Sequence, residues 1–436
     1  MVNVAILTSG GDNCASSGLI KAIRDNIVTD GIERVIGVRY GFEGLLSPSP
    51  KVEDITNKLI DADTPSSILG YSRTPPVYKD IDHYTNSRDH ILEGEIDFEA
   101  ENQKRAEIIT KNLKDVLECE ILIILGGDGT IRATKQLKEI SDTIDKKINT
   151  IPVPSTMDND FNTRTHHGNI DTALNSGYPT AADRIINETI ALDYLVTQGK
   201  RVMFIETFGR GGGWLAIPTA RGGGHITLCP EFTQDSAGGY RKNDIKELLY
   251  QRIAKFLNIF ECAKIGISEG TPYFFNKEEA DREKMEEGYN TITTHSSGSR
   301  RLGGAAHAYL TATEKEFKKG GKIIYPSYHN IAYKSKMPTI VSNDGKIQMT
   351  GPIPYEKVLS NNIGLVVKSL IKDKKFDELP VLDHVVPKNE LEPGIFKTIR
   401  LTDIDIQPFR VPEKYLDEKK LYITQQFIDF VDLIRS

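Results

Sequence analysis

Val2-Asn3-Val4-Ala5-Ile6-Leu7 runs directly into Thr8-Ser9-Gly10-Gly11-Asp12, and this junction decides the fold. The apolar run predicts a buried parallel strand, and residues 15–28 predict the helix that follows it. A strand that feeds a glycine turn and then a helix N-terminus is an anion site. Glycine has no Cβ, so phosphate oxygens can reach the backbone amides, and the helix dipole favours negative charge.

The design repeats further along. Glu120-Ile121-Leu122-Ile123-Ile124-Leu125 predicts a second strand, followed by Gly126-Gly127-Asp128-Gly129-Thr130, with a helix opening near Thr130. A carboxylate among phosphate-facing amides repels the ligand unless a cation stands between them, so Asp128 is a candidate Mg²⁺ ligand. No Gly-Lys-Ser/Thr follows either loop, so neither is a Walker loop. A third segment, Ile151-Pro152-Val153-Pro154, reads as a short extended run ending in Ser155-Thr156-Met157-Asp158-Asn159-Asp160. Two carboxylates so close repel each other, and a cation or a hydroxyl proton separates their roles. One can serve as general base while the other orients it or contacts metal. A polyphosphate holder, a divalent cation and a base for a hydroxyl are together the parts of phosphoryl transfer.

In order and spacing, these motifs resemble the phosphofructokinase family that uses ATP or pyrophosphate, as distinct from the ribokinase-like one. Gly70-Tyr71-Ser72-Arg73 resembles the family's donor-contacting Gly-x-x-Arg segment, and Asp171-Thr172-Ala173 the helix start after the acidic motif. Glu206-Thr207-Phe208-Gly209-Arg210-Gly211-Gly212-Gly213-Trp214 resembles its Met-Gly-Arg segment, with Phe208 in place of Met. Ser268-Glu269-Gly270 resembles the strand end whose Glu holds the sugar. The resemblance runs over residues 2–304. A Gly-Gly-Asp-Gly loop also occurs in NAD kinases and diacylglycerol kinases, but those families lack the Asp-Asn-Asp and Gly-Arg segments at these positions.

The resemblance implies an α/β fold of two Rossmann-like, doubly wound domains with parallel sheets and the active site between them. It implies a donor domain of residues 1–168 plus about 300–380, and an acceptor domain of residues 169–299 plus about 381–436. Asp158 becomes the general base on the acceptor hydroxyl, flanked by Thr156 and Asp160. Arg210 and Glu269 hold the sugar, with Phe208 and Gly209 beside them. Gly11, Arg73, Gly127, Asp128, Gly129 and Thr130 hold the donor phosphates and Mg²⁺. Arg201 corresponds to an arginine that reaches a neighbouring subunit's substrate 6-phosphate, so a homo-oligomer, dimer or tetramer, is expected. The implied activity is Mg²⁺-dependent transfer of the γ-phosphoryl of ATP to a sugar hydroxyl, as in 6-phosphofructokinases of glycolysis, or to a related sugar-containing acceptor. A pyrophosphate-dependent phosphofructokinase and a sugar-phosphate-sensing pseudoenzyme are the alternatives; the intact Asp128, Asp158, Asp160 and Arg210 argue against the second.

Two positions bear on the donor. Pyrophosphate-using relatives carry Asp where this chain has Gly129 and Lys where it has Ser155, so both positions favour ATP. Of the residues 74–79, which hold a second arginine in many ATP enzymes, only Lys79 is cationic. The acceptor clamp departs furthest. Fructose 6-phosphate members carry Gly-His-x-Gln-Arg-Gly-Gly, with another arginine just upstream. Here Ser299 stands at the histidine position, Leu302 at the arginine position and about Thr293 at the upstream one. Arg300 and Arg301 either replace that charge with shifted geometry, or the acceptor is a different sugar or sugar-containing metabolite.

Composition agrees with a metabolic enzyme. The 436 residues suffice for two domains, 39% hydrophobic content supports a sizeable core, and a net charge of −6 without a basic stripe points away from nucleic acid. No apolar run approaches the ~20 residues of a membrane span, and the N-terminus reads as a strand, not a signal peptide. Cys14, Cys119, Cys229 and Cys262 are scattered, as befits buried thiols of the reducing cytoplasm. His166-His167 is no metal pair, since neighbours in a strand face opposite ways. Strands over residues 201–206, 225–229 and 263–268 are expected in the second sheet. Residues 82–111 read as an exposed, charged, helical insertion. Ser342-Asn343-Asp344-Gly345-Lys346 reads as a hairpin turn, and residues 413–435 as helix. Nothing beyond Gly304 matches a motif.

Overall fold

The computed structural model describes residues 2–435 apart from 29–30, 79–96, 145–146, 166–167, 170–173, 210–211, 234–243, 272–292, 295–299, 302–304, 322, 333–335, 337–338, 344–345 and 409. The opening apolar run is the strand Val2–Thr8, with Val4, Ala5, Ile6 and Leu7 wholly buried. It lies inside a sheet ordered Val52–Asp54, Ile32–Val38, Val2–Thr8, Ile121–Gly126, Asn149–Thr156, Ser176–Gly177. All neighbours run parallel except Val52–Asp54, which is antiparallel at the edge. From Val2–Thr8 the chain winds outward one way, then returns to Ile121–Gly126 and winds the other. The reversal point therefore lies between the two strands that carry the glycine loops, which is where doubly wound sheets bind ligands.

Helix Ser16–Val28 covers one face of this sheet and packs on Pro354–Lys372. The approach is close: a Cβ at Gly364 would stand 2.6 Å from the Ala22 carbonyl oxygen. The second sheet is ordered Ile226–Leu228, Ala263–Ser268, Arg201–Thr207, Tyr325–Asn330, all parallel. The first three strands agree with the sequence reading; the fourth lies where no motif was legible. Buried Glu206 fixes it, accepting from Asn330 Nδ2 at 2.7 Å and from Ala306 N at 3.0 Å, at the start of helix Ala305–Lys319. Within the segment of about 300–380 expected on the donor side, Tyr325–Asn330 thus joins the second sheet, while Pro354–Lys372 packs on the first lobe.

Three local expectations need correction. The helix at Phe98–Lys111 is not fully exposed: Asn102, Arg105, Ala106 and Ile109 are buried. Asn102 both accepts from Tyr78 N at 2.8 Å and donates to Tyr78 O at 2.9 Å, and Arg105 Nε donates to Pro76 O at 3.0 Å. The tail is helical only over Gln425–Arg435, because Leu416–Asp417 pairs with Tyr422–Ile423 across Leu421 at φ +44°. The second loop's helix opens at Asp128, two residues earlier than expected. Strands Thr339–Asn343 and Lys346–Thr350 pair antiparallel as foreseen; the turn residues Asp344 and Gly345, like His166 and His167, lie outside the described residues. All four cysteines are buried, and burial pushes the Cys14 thiol up to about 12, so it is inert. Among the described residues no helix is long and apolar enough to cross a membrane.

Glu356, in the first turn of Pro354–Lys372, is wholly buried behind the first loop. Its carboxyl accepts from Gly177 N at 2.9 Å and Ser176 Oγ at 3.0 Å. Burial nevertheless pushes it up to about 7 from 4.5, with those hydrogen bonds pulling the other way. Between those values the unfolded chain has lost the proton and the folded chain keeps it. Stability from this group therefore falls as pH rises from about 4.5 to about 7 and stays lower above. Glu356→Gln removes that slope. The variant is expected to gain, relative to the native chain, on the order of 3 kcal/mol between pH 4.5 and pH 8, read from urea unfolding at both pH values. An equal effect at the two values would take Glu356 out of the linkage.

Candidate active site

Because Val2–Thr8, Ile121–Gly126 and Asn149–Thr156 are neighbours in register, their carboxyl ends present three loops side by side. Ser9 N donates to Leu125 O at 2.9 Å, across the first two. Over them opens a cleft of about 290 Å³ lined by Gly11, Arg73, Gly127, Asp128, Gly129, Thr130, Thr156, Asp158 and Asp160. These nine residues, read from three separate loops and the 70–73 segment, are brought together. Gly126 makes the approach feasible: a Cβ there would stand 2.5 Å from Thr130 Oγ1.

Segment 70–73 is bound to the first loop. Thr8 Oγ1 donates to Gly70 O at 2.6 Å and Gly10 N donates to Ser72 O at 3.0 Å. Arg73 is thereby laid over the loop, its Nη2 3.6 Å from where a Gly11 Cβ would be. Asp128 opens helix Asp128–Ser141 and accepts from Arg132 Nη2 at 3.1 Å, one turn on. Asp-Asn-Asp works as a turn. Asn159 is buried at φ +50°, a conformation asparagine tolerates, and its Oδ1 accepts from Asn175 N at 2.9 Å. With Asn159 turned inward, Asp158 and Asp160 both line the cleft, and Asp158 N donates to Thr156 Oγ1 at 3.2 Å.

The expected acceptor residues Phe208, Gly209 and Glu269 lie at strand ends of the second sheet and are not among the residues that line this cleft. Thr207 and Ser268 are register partners at adjacent carboxyl ends, so Phe208, Gly209 and Glu269 emerge together. Glu269 N donates to Thr207 O at 3.0 Å, and Ser268 Oγ donates to Gly209 O. Arg201 begins its strand at the far end, about 20 Å from Thr207 at ~3.3 Å per residue, and does not reach this cleft. Arg210 lies outside the described residues. Arg300 and Arg301 form a short strand paired with Thr293–Thr294, and their side chains, like Ser299 and Leu302, also lie outside.

Among the lining residues given no role in the sequence reading, three make contacts that bear on the site. Asp12 and Asn13 belong to the first loop. Asn13 Nδ2 donates to Ser155 Oγ at 2.9 Å and Ser176 O at 2.8 Å, fastening that loop to the third motif. The third is Lys336, from a stretch without any pattern. It lines the cleft, and its Nζ stands 4.9 Å over the Phe208 ring, so it meets both sheets' loops. Burial pulls its ammonium below the usual lysine range; Asp158, Asp12 and Glu269 oppose the fall and Arg73 adds to it.

Among the described residues no group of three or more His, Cys, Asp or Glu side chains could hold a metal ion by themselves. Asp128, set within the glycines, shares the cleft with the carboxylates Asp12, Asp158 and Asp160. The site can therefore take an anionic chain on backbone amides and Arg73, and a proton on a carboxylate.

The family model described as Phosphofructokinase matches residues 3–309. ATP-dependent 6-phosphofructokinase 2 of Clostridium perfringens (strain 13 / Type A) is 32% identical over 244 residues, 53% of this chain and 57% of that enzyme. The chain thus spans little more than half the length of that relative. ATP-dependent 6-phosphofructokinase 3 of Streptomyces coelicolor is 25% identical over 386 residues, 87% of this chain and 91% of that one. Among solved structures, pyrophosphate-dependent phosphofructokinase from Marinobacter aquaeolei superposes with a TM-score of 0.69 at 14% identity, covering 100% of this chain and 92% of that chain. The enzyme of the same description from Nitrosospira multiformis gives 0.70 at 15%. At such identities these two show a shared fold alone. The family match takes in all three loops of the cleft and the strand ends that carry Phe208 and Glu269, and the chain belongs to the phosphofructokinase family.

Proposed function

We propose that the protein is a Mg²⁺-dependent kinase that moves the γ-phosphoryl of ATP to the hydroxyl of a sugar phosphate or related sugar-containing acceptor. The observation that carries this reading is the placement of Asp158 in one cleft with both glycine loops and Asp128. Donor phosphates rest on the loop amides and the N-terminus of helix Asp128–Ser141, with Arg73 above them. Bound at Asp128, Mg²⁺ supplies neutralising charge to those phosphates. The acceptor hydroxyl lies by Asp158, held by Glu269, Phe208, Gly209 and Arg210. Its oxygen bonds to Pγ, the bond from Pγ to the β–γ bridging oxygen breaks, ADP leaves, and the hydroxyl proton passes to Asp158. Thr156 and Asp160 orient that carboxylate.

ATP is favoured as donor on two counts. A Cβ at Gly129 would meet nothing within 4 Å, so the loop leaves room where the nucleotide's inner phosphates would pass. Ser155, which brings no charge, is engaged by Asn13. The fructose 6-phosphate clamp is depleted at Ser299 and Leu302. Arg201 lies at the far end of its strand, in keeping with a service to a neighbouring subunit of a dimer or tetramer. A cytoplasmic, glycolysis-type role fits the reduced, buried cysteines.

The test is a turnover assay that reads ADP release with ATP and orthophosphate release with pyrophosphate, against fructose 6-phosphate, other sugar phosphates, sugars and nucleosides. Each missing charge-assisted hydrogen bond costs on the order of 1.5–3 kcal/mol, so fructose 6-phosphate is expected to be a poor substrate or to be surpassed by another acceptor. A sub-millimolar KM for it, lost on Arg300→Ala or Arg301→Ala, would show a rebuilt clamp. Turnover with pyrophosphate and not ATP would overturn the donor, and no turnover with any pair would leave a sensor.

A further inference from the structure

We infer that Lys336 is a catalytic residue, whose ammonium hydrogen-bonds the phosphoryl group while it passes from donor to acceptor. The inference rests on the phosphoryl-transfer reading above and assigns that reading a residue outside the family match, which ends at residue 309. Among the described lining residues of the cleft, Arg73 and Lys336 are the cations. They take different stations. Arg73 lies over Gly11, on the loop that receives the donor. Lys336 lines the same cleft but stands 4.9 Å over Phe208, a residue read above as holding the acceptor. A cation that lines the cleft with Asp158 and also touches Phe208 is placed where the transferred group must cross.

The crossing is where such a charge acts. In a loose transition state negative charge spreads over the three equatorial oxygens of the moving group, between the leaving bridging oxygen and the incoming hydroxyl oxygen. A cation fixed there before reaction stabilises that state more than bound ATP. Lys336 keeps its protons throughout; the hydroxyl proton goes to Asp158 and the bond electrons leave with ADP. The Phe208 face holds the ammonium through its π-cloud and lets the stem pack against it.

The experiment compares the native chain with Lys336→Met and Lys336→Arg. Methionine keeps the packing on Phe208 and removes the charge. Lys336→Met is expected to lose about 10²–10³-fold in kcat, with the KM for ATP changed less than about threefold. Lys336→Arg should recover part of the loss. A second readout needs no acceptor. Titration with ADP plus aluminium fluoride, a mimic of the planar phosphoryl, should weaken at least tenfold in Lys336→Met, while ADP alone binds as before. Equal weakening of both titrations, unchanged kcat, or a rise confined to the acceptor's KM would each overturn the assignment. A native chain that turns over no donor–acceptor pair would overturn the kinase reading instead, and the fluoride titration would still decide Lys336.

Discussion

Asp158→Asn is expected to lower kcat by about two to four orders of magnitude, the usual cost of removing a general base. The amide keeps the shape of the carboxylate but cannot take the hydroxyl proton. Its surroundings should hold their form, because the turn is set by its neighbours. Asn159 is locked at φ +50° by Asn175, and the Asp158 backbone N–H is held by Thr156 Oγ1. ATP affinity should stay within a few-fold of native, since the donor contacts proposed above lie on other loops. A variant that keeps most of its kcat would remove Asp158 from the role of base. A variant that loses ATP binding in the same proportion would show the residue serving the donor.

Asp128→Ala should abolish Mg²⁺-dependent turnover, a loss of about 10²–10³-fold or more, because a metal's electrostatic contribution is worth several kcal/mol and each 1.4 kcal/mol is tenfold. The substitution also frees Arg132 from its one-turn partner and removes an acid from the first turn of Asp128–Ser141. Those structural losses are small, about 0.3–1 kcal/mol for the helix-end charge. Folding should therefore survive, and the signature is loss of the Mg²⁺ dependence itself. Unchanged kcat with an unchanged Mg²⁺ titration would place the metal elsewhere.

The first sheet and the cleft were legible because their rules are local. A strand, two glycines and a helix start are adjacent in sequence, and so are Asp158, Asn159 and Asp160. Tyr325–Asn330 was not legible, because an edge strand can do without an apolar run. Its Tyr-Pro-Ser-Tyr-His-Asn sequence is half exposed, and Pro326 is tolerated where one side needs no ladder partner. The helix Phe98–Lys111 misled by composition. Its buried Asn102 and Arg105 are polar because they grip the backbone of residues 75–78 rather than an apolar core. Lys336 carried no signal, since nothing local distinguishes a lysine that folds back onto two loops.

Helix Pro354–Lys372 backs the first loop through Glu356 and Ser16–Val28, and it comes late in the chain. At ~5–20 residues per second of synthesis, roughly 10–50 s separate Asp128 from the last turn of that helix. Throughout that interval the nascent chain carries both glycine loops without the complete helix behind them. The first sheet can therefore be complete in sequence well before the helix that covers its face has been made.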